Sequence, residues 1–96
     1  MQLNPHTALS GKEKELIGLA VAAQIPCTYC IYFHTQAAKL NDATEAEVGE
    51  AVAMAAITRH WSTVLNGMQA DPATFRQETD TVLRLAAERA KATAAK

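Results

Sequence analysis

Apolar positions along this chain recur every three or four residues in four stretches, and none alternates with the period of two that marks a half-buried strand. The spacing predicts four helices. The first opens at Ser10, because Ser10 and Glu13 have capping-box spacing, and Leu16, Ile17, Leu19, Ala20, Val21 and Ala23 follow. Pro26 ends that helix and suits the first position of the next, which is expected from about Cys27 to Leu40 with Asn41-Asp42 as the break. Thr44 and Glu47 repeat the capping-box spacing and open the longest helix, residues 45–69. It carries one stripe at Val48, Ala51, Val52 and Ala55, and a second at Met54, Ile57, Trp61, Val64, Leu65 and Met68. Both stripes are expected to be core. Two stripes exceed what one small monomer can cover, so a subunit interface is expected as well. Asp71 and Pro72 fit the cap and first position of a last helix, with Phe75, Val82, Leu83, Leu85 and Ala86 on its buried side. Asn4-Pro5 disfavours helix, so residues 1–9 are expected to be an extended arm; residues 89–96 lack a large apolar side chain and are expected to fray.

Length and composition narrow the function. Ninety-six residues make one small domain, and 49% apolar content is enough for a core. Alanine fills 20 positions while aromatics supply 5%, a mix that favours closely packed helices over a β-sandwich. A net charge of −1 argues against a nucleic-acid partner. No apolar run approaches the roughly 20 residues of a membrane span, so no membrane partner is expected. Met1 to His6 has no basic region followed by an apolar one, so no secretion signal is expected and a cytoplasmic protein is. In that reducing compartment, two cysteines three residues apart point to catalysis, redox exchange or metal binding before a structural staple.

The chemistry concentrates in Cys27-Thr28-Tyr29-Cys30-Ile31-Tyr32-Phe33-His34. At about 100° per residue, Cys27, Cys30 and His34 fall within an arc of about 60° on one helix face. The two cysteine Cα atoms are expected about 5 Å apart, inside the span of a disulfide. Cys27 is expected in the first helical turn, where free amides and the helix dipole favour a thiolate. His34 follows Cys30 by four residues and can take its proton. If the first two helices form an antiparallel hairpin through Gln24-Ile25-Pro26, residue numbers at equal height sum to about 51, which puts His34 within a turn of Glu15. Glu15 shares a face with Leu19 and Ala22, whereas Lys12, Glu13 and Lys14 are expected to meet water. Small Ala22 and Ala23 let the helices approach. A half-buried carboxylate can fix the tautomer of the imidazole, giving a candidate relay from Glu15 through His34 to Cys30, with Cys27 as second thiol.

Glu15, Cys27, Cys30 and His34 at this spacing resemble the alkylhydroperoxidase D pattern, within the carboxymuconolactone decarboxylase superfamily. The resemblance runs from Glu13 to Met68. It implies an all-α helical bundle in a single-unit version of the alkylhydroperoxidase D-like fold. It also implies a redox-active Cys27–Cys30 pair, a Glu15–His34 proton relay, and peroxidase or disulfide chemistry in antioxidant defence. The expected partners are a hydroperoxide or disulfide substrate, an external dithiol reductant such as a protein, and further copies of the chain, since members are usually trimers or hexamers. No cofactor or metal is called for. At Tyr29 the family often has a histidine, so one proton-handling group is absent. The chain is about half the length of two-repeat members and is expected to complete its core between subunits.

Four other readings use the same residues. A dithiol carrier would reduce a partner protein's disulfide and barely touch peroxide. A zinc site could draw on Cys27, Cys30 and His34 with His60 or His6, although three ligands on one short arc enclose a metal poorly. A lactone decarboxylase of the superfamily needs no thiol pair, and a helical oligomerisation module would carry an incidental one. Tyr29 and Tyr32 flank the cysteines and either line a pocket or simply pack; Arg59 and His60 fit surface or interface roles.

Overall fold

The computed structural model describes residues 1–94 and is all-α, with no strand among them. Helices α1 (Gly11–Gln24), α2 (Thr28–Leu40), α3 (Glu45–Gly67) and α4 (Pro72–Ala94) follow in order. Each start is built locally. Ser10 accepts from the Glu13 amide at 3.1 Å while the Glu13 carboxylate takes the Ser10 amide at 2.8 Å. Thr44 and Glu47 repeat the exchange at 3.0 and 2.9 Å. Asp71 accepts from the Thr74 amide at 2.9 Å, with Pro72 at the first helical position. These bonds favour the ionised carboxyl, so Glu13, Glu47 and Asp71 titrate below the usual range. The leading cause in each case is a backbone amide: of Ser10, of Thr44 and of Thr74 respectively. Helix α2 stops at Asn41, and Asp42 turns the chain in the left-handed region at φ 69°.

The chain falls into two compact units, Met1–Trp61 and one that begins at Ser62. The first holds the α1–α2 hairpin and most of α3. Its centre is small: Leu19, Ala22, Ala38 and Ala55 are buried, together with Glu15. Ala22 and Ala38 are the small side chains that let helices close in. Lys12 of α1 reaches Glu47 of α3 at 2.9 Å, and Lys39 reaches Glu45 at 2.8 Å. The second unit holds the end of α3 and α4. Among its described residues none of α4 is buried.

Several expectations are corrected. Pro26 does not start α2. Cys27 is the N-cap, with extended backbone at φ −126° and ψ 105°. Its amide closes the end of α1 on the Ala22 carbonyl at 2.9 Å, and its own carbonyl receives the Ile31 amide at 2.8 Å. One residue thus serves two helix ends, which leaves Pro26 outside both. Residues 1–10 form a series of turns instead of an extended arm, because Lys14 gathers them. Helix α3 stops at Gly67, where Gln69 enters the left-handed region at φ 55°. Of its stripes, Ala55 is buried and Val48 and Ala51 are half-buried, whereas Met54, Ile57, Trp61, Val64 and Met68 are exposed. Phe75, Val82, Leu83 and Leu85 of α4 are exposed as well. A regular apolar stripe records which face of a helix can be covered; it does not supply the cover. Helix α4 runs to Ala94, and residues 95–96 of the expected fraying end lie outside the described residues.

Candidate active site

The hairpin places the expected groups in two pairs, Cys27 with Cys30 and Glu15 with His34. Cys27 and Cys30 are joined as a disulfide, with Cα atoms 5.3 Å apart. Cys27 Sγ also accepts the Cys30 amide at 3.2 Å, so the cap of α2 is a sulfur. Tyr29, between the two cysteines, is 87% exposed, and Tyr32 is 70% exposed.

One turn beyond Cys30, His34 Nδ1 lies 2.7 Å from Glu15 Oε2. The numbers 15 and 34 sum close to the expected register, so the short turn after α1 sets this pair. Glu15 is 1% exposed, flanked on its own face by buried Leu19 and Ala22. The His34 side chain is 20% exposed. A carboxylate can only accept, so the bond requires a proton on Nδ1, which leaves Nε2 of the neutral ring as a base. The Phe33 ring meets the imidazole edge-on at 5.6 Å.

Two contributors were not anticipated from the sequence. Gly18 lies one turn after Glu15, and a Cβ there would come within 2.5 Å of His34 Cε1 and Nδ1. The imidazole therefore rests against bare α1 backbone. The signal was available, since a glycine inside a helix costs about 1 kcal/mol relative to alanine and calls for a packing reason. Gln2 is the other: its Nε2 lies 3.3 Å from Glu15 Oε1. Nothing in the local pattern announces a contact thirteen residues back along the chain. Lys14, expected in water, binds the Met1 and Asn4 carbonyls and the Thr7 hydroxyl.

The zinc grouping is not assembled. Among the described residues no three His, Cys, Asp or Glu side chains are gathered to hold a metal ion. His60 instead sets its ring edge-on to Trp61 at 5.3 Å.

Four helices among the described residues, with a disulfide-forming pair at the start of one and a carboxylate–imidazole contact across a hairpin, define the class: an all-α protein with a cysteine pair that closes into a disulfide. The family model that matches describes the carboxymuconolactone decarboxylase family and covers residues 2–71, and the chain belongs to that family. The matched span takes in α1, α2 and α3 and stops just before α4. No curated protein and no solved structure matches the chain.

Proposed function

We propose that the protein is a thiol-dependent hydroperoxide reductase of the alkylhydroperoxidase D type, acting in antioxidant defence through Cys27, Cys30, His34 and Glu15. The supporting observation is the Glu15–His34 contact at 2.7 Å, one helical turn beyond a cysteine pair able to close into a disulfide. His34, held by Glu15, takes the proton of Cys30. The Cys30 thiolate attacks the outer oxygen of the hydroperoxide; the O–O bond breaks, the alcohol leaves with the proton, and Cys30 becomes a sulfenic acid. The Cys27 thiol condenses with it, forming the disulfide and releasing water. An external dithiol then attacks Cys30, and Cys27 leaves as a thiolate stabilised by the Cys30 amide at the helix start. Two electrons pass from dithiol to peroxide in each cycle. A cytoplasmic setting would supply such a dithiol.

The exposed apolar residues of α3 and α4 favour a homo-oligomer, a trimer or hexamer, in which further copies cover them. A second reading is favoured by exposed Tyr29 and Tyr32 beside the disulfide: a dithiol oxidoreductase that reduces a partner protein docked on them.

Stopped-flow reduction of an organic hydroperoxide, followed by intact mass, tests the proposal. The reduced protein should lose two hydrogens, and Cys30→Ser should slow peroxide consumption at least about a thousandfold. Cys27→Ser should stop at the sulfenic acid. A reduced native protein inert to hydroperoxide but fast with a protein disulfide would replace this reading with the second.

A further inference from the structure

The catalytic reading leaves one neighbour of the buried carboxylate without a role. Gln2 Nε2 lies 3.3 Å from Glu15 Oε1 and 3.5 Å from Oε2, while His34 Nδ1 sits 2.7 Å from Oε2. A carboxylate offers about four lone-pair sites and no donor, so the carboxamide must face it through its NH2 group. At 1% exposure Glu15 has little access to water, and each protein donor matters more than it would at the surface.

Gln2 does not arrive there by chance of a loose chain. The Lys14 ammonium binds the Met1 carbonyl at 2.9 Å, the Asn4 carbonyl at 2.8 Å and the Thr7 hydroxyl at 2.6 Å. Those three acceptors span the segment that carries Gln2. Lys14 precedes Glu15 directly, and neighbours on a helix point about 100° apart. The lysine therefore holds the segment from the flank of α1 while Gln2 reaches across to the buried face.

We propose that Gln2 is a positioning residue for the Glu15–His34 pair, delivered by a turn that Lys14 fastens to α1. By donating chiefly to Oε1, the Gln2 carboxamide orients the carboxylate so that Oε2 accepts from His34 Nδ1. That bond fixes the ring in the tautomer whose Nε2 is a base. Gln2 touches neither sulfur nor substrate; its effect passes through Glu15. The consequence for turnover rests on the peroxidase reading, whereas the effect on the imidazole does not.

Nitrogen NMR of the full chain labelled in its histidine rings reads the tautomer directly, with His34 assigned from the His34→Gln spectrum. At a pH where the ring is neutral, native His34 should display the Nδ1–H form. Gln2→Leu keeps bulk without donors, and Gln2→Glu sets a second acceptor against Glu15. In both, the two ring-nitrogen signals should move toward each other as tautomers mix, at unchanged helix content. Lys14→Met should produce the same change by freeing the segment. Oxidation of the reduced thiols by tert-butyl hydroperoxide should slow about three- to tenfold in the Gln2 variants, the effect of one hydrogen bond. Ring signals unaltered in both Gln2 variants overturn the proposal, whatever the rates do. Ring signals that respond in a protein whose native form ignores hydroperoxide leave Gln2's role standing and remove the peroxidase reading.

Discussion

Helix α4 has a regular apolar stripe and buries none of it, whereas α1, apolar around much of its circumference, buries a carboxylate between Leu19 and Ala22. The difference teaches what burial requires. In the hairpin, a short turn returns α2 along α1, so Ala38 and His34 arrive against a face that contains Glu15. That carboxylate tolerates the interior because it is hydrogen-bonded there. On α4 the side chains have the right period, yet Leu83 keeps 62% of its surface. Family membership draws a similar line, since the matched span ends before α4 starts.

The contrast is easiest to break by truncating one leucine in each region. Leu19→Ala removes a buried side chain and should lower stability by about 3 kcal/mol in chemical denaturation of dilute protein. Leu83→Ala should change it by less than about 0.5 kcal/mol under the same conditions. In the proposed homo-oligomer, Leu83→Ala should weaken the assembly by sedimentation while Leu19→Ala destabilises the chain itself. Equal losses in dilute protein would erase the distinction between the two regions.

Two helical glycines sharpen it further. Gly49 in α3 faces open space, so Gly49→Ala should raise stability by about 0.5–1 kcal/mol through helix propensity alone. Gly18→Ala carries the same intrinsic gain, but its methyl meets the His34 ring. Its melting temperature should fall short of that of Gly49→Ala, and the His34 ring resonances should shift.

The smallest effect is expected from acid. Glu13 at the start of α1, Glu47 at that of α3 and Asp71 at that of α4 all titrate below their ordinary values because they accept backbone amides. A carboxyl lowered in the folded state contributes stability above its unfolded value of about 4, and the contribution is lost as pH falls through the lower folded value. Thermal stability should therefore be flat near neutrality with respect to these groups and decline below about pH 4. Amide exchange should quicken in the first turn of α4 before that of α1, which Glu15 and Leu19 also hold through packing.

Much of the local structure was legible because its causes are local. The capping boxes at Ser10–Glu13 and Thr44–Glu47 and the Asp71-Pro72 start depend on residues no more than three apart, and all three form. The Glu15–His34 contact was legible one level up, because a three-residue connection leaves the hairpin almost a single register. The cap of α2 was misjudged by one position, since nothing in the string reveals that the Cys27 amide is needed to close α1. Met54, Trp61, Tyr29 and Tyr32 were beyond reach for a different reason. Periodicity states that a side chain would gain from cover, and only neighbouring chain can provide it.

The sequence by itself determined four helices, the starts of three of them, a cysteine pair close enough to bridge and the pairing of a carboxylate with an imidazole. Each follows from spacing along the backbone or from one tight turn. Tertiary structure alone decided that Gln2 returns to Glu15, that the His34 ring lies against Gly18, and that Lys14 binds the turns at residues 1–7. Those contacts join residues seven to sixteen positions apart or on separate helices. Their geometry is fixed by how segments pack, a property that no local pattern of residues encodes.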